Sequence, residues 1–205
     1  MTSAHWNAAY NSTEFETRSW SQNLPTESLQ FISKFPLSSN DPISDVGGGT
    51  SELVDELIEM RFTDLSVLDI SSEALQEVRT RLLSKSKDPQ VVHWICEDLT
   101  QWKPQRTYAL WHDRAVFHFL TSRRDQNKYK EVLLNSTISG SYVLIATFSP
   151  NGPASCSRLP VTRWSAEDLN VFLADEFMFL EDAQITHNTP WGSTQDFTWA
   201  SFKRR

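Results

Sequence analysis

The sequence predicts one α/β domain with a doubly wound, seven-stranded sheet, mostly parallel with an antiparallel C-terminal edge, and helices on both faces. Short apolar runs alternate with segments of helical periodicity from residue 43 onward, which is typical of parallel strands joined by crossover helices. The last two strand-like runs follow one another as a hairpin, which indicates an antiparallel edge. The length of 205 residues suits a single domain.

The individual elements follow from hydrophobic periodicity and from turn residues. The predicted strands are 43–46, 65–69, 91–96, 108–113, 142–148, 177–185 and 195–202. The predicted helices are 26–35, 51–60, one that Ser71 or Ser72 caps, 125–136 and 165–174. Residues 1–40 are polar and interrupted before the helix that ends them, and 151–160 is predicted to be a loop.

Charge and composition exclude several classes of protein. The 19 Lys and Arg against 26 Asp and Glu give a net charge of -7, which disfavours a nucleic acid partner because phosphate binding depends on Lys and Arg. No apolar run approaches the ~20 residues that cross a bilayer, and the first residues lack the features of a secretory signal. We therefore expect a cytoplasmic protein with no membrane partner. The 2 cysteines show neither a disulfide framework nor metal-ligand spacing, so no metal is expected.

The most informative stretch runs from Asp45 to Ser51, where a predicted strand ends, three glycines turn the chain and a helix begins. Glycine allows close approach of a ligand to the backbone, and the start of the helix offers free N–H groups. The dinucleotide fingerprint G-x-G-x-x-G requires glycine where Glu52 stands. Asp45 would repel a pyrophosphate but suits a ligand that carries an ammonium group.

These residues resemble the first motif of the class I S-adenosylmethionine (SAM)-dependent methyltransferases, which reads acidic-x-Gly-x-Gly-x-Gly. Asp45, Gly47 and Gly49 match it, and Ser51 stands at the third glycine. Residues 43–148 carry the resemblance, which implies a Rossmann-like fold, SAM as cofactor and S-adenosylhomocysteine (SAH) as product.

Two further matches stand at the ends of the next two strands. Asp69 is similar to the acidic residue with which the family binds the ribose hydroxyls, and Asp98 to the residue that contacts the adenine amino group. The resemblance thus implies a cofactor site formed by Asp45, Gly47, Gly48, Gly49, Ser51, Asp69, Ile70, Asp98, Leu99 and Trp20.

In this fold the acceptor lies beyond the fourth strand, so the stretch WHDRAVFHF (111–119) holds the first candidates for catalysis. His112 or His118 is the candidate base, since imidazole titrates near neutral pH; either can instead be a packed histidine. Asp113 orients a histidine or an amine substrate, or forms an ion pair with Arg114. Arg158 is a candidate for binding a substrate carboxylate, or is a solvated surface residue. The predicted substrate-binding residues are Trp6, Tyr10, Arg114, Phe117 and Arg158.

The leading hypothesis is a SAM-dependent methyltransferase that acts on a small-molecule thiol, amine or hydroxyl. The stretch GGGTSELVDEL resembles a branch that holds both protein-lysine methyltransferases and bacterial enzymes, so protein-lysine N-methylation is the first alternative. Two further alternatives are a non-catalytic SAM-binding module and a nicotinamide-dependent oxidoreductase. The base-methylation motif, Asn- or Asp-Pro-Pro-Tyr/Phe, is absent after the fourth strand, which also disfavours nucleic acid.

We expect three consecutive segments of the domain to have different roles. Residues 1–40 form an N-terminal lid and substrate segment, 43–148 the cofactor-binding core, and 149–205 a substrate loop and C-terminal hairpin. The protein is expected to be a monomer or a homodimer.

Overall fold

A computed structural model of the chain describes residues 2–12 and 18–205, so residues 1 and 13–17 of the predicted N-terminal segment lie outside it. The strands are β1 (Ile43–Val46), β2 (Leu65–Asp69), β3 (Val92–Cys96), β4 (Tyr108–Arg114), β5 (Thr137–Phe148), β6 (Ser155–Cys156), β7 (Leu159–Pro160), β8 (Phe177–Asn188) and β9 (Thr194–Arg204). The α-helices are α1 (Ser3–Ser12), α2 (Thr26–Ile32), α3 (Leu53–Glu59), α4 (Ser72–Ser84), α5 (Arg123–Asn135) and α6 (Ala166–Leu173). Short 3₁₀ turns cover Pro89–Val91 and Phe117–Phe119.

The main sheet has seven strands in the order β3-β2-β1-β4-β5-β9-β8. The first five strands of the chain pair in parallel, whereas β9 pairs antiparallel with β5 and with β8. This confirms the predicted mixed sheet. The chain runs outward from β1 to β3 and then returns to place β4 on the other side of β1. The carboxyl ends of β1 and β4 therefore flank the crevice where open α/β sheets bind ligands.

Each face of the sheet carries its own hydrophobic core. One core joins α2, α3 and α4 to the sheet through residues such as Phe31, Leu57 and Leu75. The other packs α5 and α6 against the opposite face, with Leu133 and Leu169 fully buried. Helices thus cover both faces, as predicted from the alternation of strands and helices. Within the described ranges, no helix has both the length and the apolarity needed to cross a membrane.

The ends of several elements differ from their predicted positions for local reasons. Helix α2 ends at Ile32 rather than at residue 35, since Phe35 precedes Pro36 and the residue before a proline disfavours helical geometry. Strand β5 begins at Thr137 instead of 142, because its polar first residues still pair with β4 across an irregular register.

The predicted loop 151–160 contains a small hairpin of its own. Strands β6 and β7 pair antiparallel around Ser157 and Arg158, which have φ values of 49° and 63°. Two residues at positive φ are characteristic of the tight turns that join paired strands. The hairpin brings Cys156 toward the carboxyl end of the sheet, where it contributes to the site described below.

Candidate functional site

The turn between β1 and α3 requires glycine. Gly47 and Gly49 have φ values of 64° and 53°, in the left-handed region that favours glycine. A Cβ on Gly47 would lie 1.8 Å from Cγ2 of Val116, and a Cβ on Gly49 would lie 2.3 Å from the Tyr10 hydroxyl oxygen. The neighbouring side chains therefore fill the space that any larger residue would need.

Asp69 at the end of β2 connects this turn to the next one. Its Oδ2 accepts a hydrogen bond from the Gly49 N–H at 2.9 Å, and its Oδ1 accepts one from the Ser71 N–H at 2.7 Å. Burial raises the pKa of Asp69 to about 6 despite these backbone donors. Each carboxylate oxygen has two lone-pair sites, so both can accept a further hydrogen bond from a ligand.

Asp98, two residues after β3, lies in a tight turn of its own. Its Oδ1 accepts hydrogen bonds from the backbone N–H and from the hydroxyl of Thr100, both at 2.8 Å. The residue is half-buried and lines the same cavity as Asp69. Since β3, β2 and β1 are adjacent in the sheet, Asp98, Asp69 and Asp45 form one row of carboxylates.

Asp45 on β1 is held by His112 on β4. The two residues pair in register, and Asp45 Oδ1 lies 2.7 Å from His112 Nδ1. His112 Nε2 in turn lies 2.9 Å from the Ser28 hydroxyl oxygen on α2. Because both ring nitrogens have partners and His112 is 2% exposed, the geometry does not support its predicted role as a free base. It supports a positioning role, with Nδ1–H donating to Asp45 and the Ser28 hydroxyl donating to Nε2.

These residues surround a cavity of about 290 Å³ at the carboxyl end of the sheet. Its size is at the lower end of the range for small-molecule sites, roughly 300–1,000 Å³. All the predicted cofactor residues line it: Asp45, Gly47, Gly48, Gly49, Ser51, Asp69, Ile70, Asp98, Leu99 and Trp20.

Aromatic side chains from the N-terminal segment cover the cavity. Trp6 and Tyr10, two of the predicted substrate residues, line it and are each 8% exposed. Trp6 packs edge-on against Trp20 and Phe119, with ring centroids 6.0 and 5.2 Å apart. Helix α1 lies against α4, and the Ser71 hydroxyl donates to the Asn7 side chain at 2.7 Å. The first helix is therefore a fixed part of the cavity wall.

Arg114, at the end of β4, also reaches the cavity. Its Nη1 donates to the Trp20 carbonyl at 3.0 Å. Among the residues that the structure describes, no carboxylate forms an ion pair with it, so the alternative of an Asp113–Arg114 pair is not observed. Neighbours in a strand point to opposite faces of the sheet, which separates these two side chains.

Asp113 lies on the other side of the sheet from His112 and does not line the cavity. It is 0% exposed, and its Oδ1 accepts hydrogen bonds from the N–H groups of Val116 and Phe117 at 3.0 and 3.4 Å. Burial raises the pKa of Asp113 to about 6. Its position indicates that it shapes the turn after β4 rather than orienting a substrate.

His118 and Phe117 do not line the cavity either, contrary to their predicted roles. His118 Nδ1 accepts a hydrogen bond from the Phe148 N–H at 3.2 Å, and the ring packs between Phe119 and Phe148. Burial lowers the pKa of His118 to about 3, so the ring stays neutral. Phe117 is fully buried against Tyr129 and Trp164 in the core. The geometry assigns both residues to packing.

Arg158 is exposed in the turn of the small hairpin and lies outside the cavity lining. Its positive φ of 63° directs the chain through that turn. The structure thus does not support its predicted contact with a substrate carboxylate, whereas Arg114 stands where such a contact can form.

Two arginines that the sequence did not single out fix the residue after the glycines. Arg81 on α4 donates to the Thr50 carbonyl at 2.8 Å and forms an ion pair with the buried Asp55 at 2.6 Å. Arg18 donates to the Thr50 hydroxyl at 3.0 Å and pairs with Glu77. These partners are 26 to 59 residues apart, so no local spacing in the sequence could have indicated them. They hold the end of the glycine turn against α4.

Comparisons with known proteins bear on the fold. The sequence matches no protein-family model, and no curated protein matches it. A SAM-dependent methyltransferase from Anabaena variabilis aligns over 99% of this chain and 95% of its own, with a TM-score of 0.74 and 15% identity. The N-methyltransferase NodS from Bradyrhizobium japonicum, in complex with SAH, aligns over 98% of both chains, with a TM-score of 0.71 and 15% identity.

A third solved structure concerns the conversion of a disulfide bond into a thioacetal group during echinomycin biosynthesis. It covers 100% of this chain and 93% of its own, with a TM-score of 0.74 and 18% identity. Nearly complete coverage at these TM-scores establishes the architecture. The chain therefore has the fold of the class I SAM-dependent methyltransferases.

Proposed function

We propose that the chain is a SAM-dependent methyltransferase that acts on a small-molecule nucleophile, a thiol, an amine or a hydroxyl. The observation that supports this most directly is the row of three carboxylates, Asp45, Asp69 and Asp98, at the ends of three adjacent strands around one cavity. The similarity to NodS, an N-methyltransferase in complex with SAH, agrees with the proposal.

The residues present fit this cofactor. Asp45 Oδ2 has no hydrogen-bond partner among the described residues, so it is free to accept from an ammonium group. Asp69 retains lone pairs for the ribose hydroxyls, and Asp98 lies where an adenine amino group can donate to it. The glycine turn lets the backbone at residues 47–49 line the cavity directly.

When bound, SAM supplies a methyl group on a sulfonium, which a nucleophile displaces in line. The chain contributes position and exclusion of water. Trp6, Trp20 and Phe119 enclose the cavity, and His112 keeps Asp45 in one orientation. An acceptor that arrives as a neutral amine or as a thiolate needs no base from the protein before transfer.

The segments keep their expected roles within this proposal. Within 1–40, Trp6, Tyr10 and Trp20 cover the site; 43–148 bind the cofactor, and the hairpin at 155–160 closes the acceptor side through Cys156. Protein-lysine N-methylation ranks second, because a lysine ammonium would meet the guanidinium of Arg114 in the cavity.

We expect SAM and SAH each to raise the melting temperature of the protein by several degrees, while NAD leaves it unchanged. A ligand that binds only the native state stabilises it in proportion to the logarithm of its concentration over Kd. Differential scanning fluorimetry at matched ligand concentrations measures this. A response to NAD, or none to SAM and SAH, would overturn the cofactor proposal.

We also expect the affinity for SAH to fall as the pH decreases through about 6, the pKa of Asp69 in the free protein. Ribose hydroxyls donate to the ionised carboxylate, so the ligand binds best above this pKa and competes with a proton below it. The affinity at pH 5 should be about tenfold below its value at pH 7.5, since each pH unit below the pKa lowers it by up to about tenfold.

Asp69→Asn is the matched control for this pH dependence. The variant binds SAH more weakly at every pH but should lose most of the change between pH 7.5 and 5, because residue 69 no longer titrates. The ammonium and carboxylate of SAH keep their charges over this range. If the variant shows the same pH profile as the wild type, the titrating group is not Asp69.

A further inference from the structure

The guanidinium of Arg114 is an unpaired cation in a largely enclosed site. Its Nη1 donates to the Trp20 carbonyl, while its Nε is buried without a hydrogen-bond partner. Glu27 and Asp45 act on it electrostatically, but neither forms an ion pair with it. Its Cζ lies 5.4 Å from the centre of the Phe197 ring, which supports one side of the guanidinium.

Three other arginines that are buried or partly buried have carboxylate partners. Arg18 pairs with Glu77 at 3.0 Å, Arg81 with Asp55 at 2.6 Å, and Arg106 with Asp64. Arg79, which is also partly buried with an unpaired Nε, lies outside the cavity lining, and its Cζ is 5.1 Å from the centre of the Trp94 ring. Arg114 differs from these four arginines in that it both lacks a carboxylate partner and lines the cavity.

The lack of a protein counter-ion for Arg114 is energetically unfavourable. Burial lowers the pKa of Arg114 to about 10, so the group is still cationic at neutral pH. A buried charge without a counter-ion is unfavourable, and strained or unsatisfied groups that persist are typical of functional sites. Among the lining residues that the structure describes, Arg114 is also the sole lysine or arginine. We therefore expect the ligand to supply the anion that pairs with Arg114.

Arg114 lies on the side of the cavity that we assign to the methyl acceptor. It lies with Trp20, Cys156 and Phe197, whereas Asp69 and Asp98 lie at the ends of β2 and β3 on the other side of β1. A guanidinium presents parallel N–H donors that match the two oxygens of a carboxylate. We propose that Arg114 binds a carboxylate of the methyl acceptor, and hence that the acceptor is a small organic anion. This inference rests on the proposed function.

The first test compares Arg114→Met with Arg81→Met, whose native arginine has a buried carboxylate partner. Removing an unpaired cation should leave the melting temperature unchanged or raise it. Arg81→Met should lower it, because buried Asp55 keeps only Lys85 and the Thr50 and Ser51 carbonyls lose their donor. A loss of stability in Arg114→Met as large as that in Arg81→Met would show a structural role and overturn the inference.

The second test measures binding of acetate, benzoate and indole-3-acetate, each against its amide, by calorimetry with SAH-saturated protein. We expect at least one carboxylate to bind the wild type about tenfold better than its amide, and Arg114→Met to lose this preference. Arg114→Lys should keep part of it, since lysine retains the charge but not the planar pair of donors. If no carboxylate is preferred over its amide, the inference is wrong.

The methionine part of the cofactor offers the same carboxylate chemistry, so a third arm separates the two sources. We expect Arg114→Met to bind SAH as tightly as the wild type does. An affinity for SAH that falls about tenfold, with unchanged affinity for the decarboxylated analogue, would assign Arg114 to the cofactor and overturn the acceptor assignment. A wild type that fails to bind SAH at all would overturn the proposed function itself.

Discussion

Gly47→Ala is expected to destabilise the protein by about 2–5 kcal/mol and to abolish SAH binding. The new Cβ would lie 1.8 Å from Cγ2 of Val116, so either that side chain rotates into the cavity or the turn after β1 opens. Overpacking costs roughly 1–3 kcal/mol, and a left-handed alanine adds about 1–2 kcal/mol. Chemical denaturation and calorimetric titration with SAH measure the two effects.

Two variants separate the steric part of this loss from the conformational part. Gly192→Ala carries the same kind of strain at φ 85°, but its Cβ meets nothing within 4 Å, so it should lose only the conformational part and keep SAH binding. Val116→Ala in the Gly47→Ala background removes the clashing methyl group and should restore part of the stability. A Gly47→Ala variant no less stable than Gly192→Ala would contradict the close contact at residue 47.

Asp45→Asn is expected to weaken SAH binding by about 10- to 100-fold without unfolding the protein, the range that loss of a charge-assisted hydrogen bond produces. The amide oxygen can still accept from His112 Nδ1, which keeps the local geometry. The NH₂ group of the asparagine then takes the place of Oδ2 and faces the ligand. It is a hydrogen-bond donor, so it repels the ammonium group that Oδ2 would accept from. Calorimetric titration gives the Kd of each protein.

5′-Methylthioadenosine, which lacks the amino-acid part of SAH, is the matched ligand for this variant. Its affinity should be the same for the wild type and for Asp45→Asn, because Asp45 is proposed to contact the missing ammonium group. An equal loss for both ligands would mean that the substitution distorts the site as a whole. Unchanged binding of SAH would place the ammonium group elsewhere.

The sequence was most informative where strands end in turns. Strands 43–46 and 65–69 have the predicted bounds, because short buried runs flanked by glycine, aspartate or serine leave few alternatives. In a parallel sheet the ends of such strands meet at one edge. Together with the resemblance to class I methyltransferases, this allowed Asp45, Asp69 and Asp98 to be predicted as one site. The mostly parallel sheet could be predicted from the alternation of strands and helices, and its antiparallel edge from the final hairpin.

The roles of residues after β4 could not be predicted in the same way. Side chains alternate along a strand, so His112 and Arg114 face the cavity while Asp113 faces the opposite core. His118 follows in a 3₁₀ turn, where the direction of a side chain depends on packing rather than on periodicity. The Ser28 contact to His112 spans 84 residues and is invisible to local patterns.

Some expectations from the sequence stay predictions. The oligomeric state, monomer or homodimer, is one of them, because it depends on surfaces outside the site described above. The structure bears more directly on the charge of the acceptor, because Arg114 lies in the cavity without a protein counter-ion.

A crystal structure of the protein with SAH bound tests the central claim most directly. We expect the ribose hydroxyls to donate to Asp69, the ammonium group to donate to Asp45 Oδ2, and the adenine amino group to lie against Asp98. The sulfur should point toward the space between Arg114 and Cys156. SAH bound elsewhere, or bound in the cavity with its adenine toward Arg114, would contradict the account.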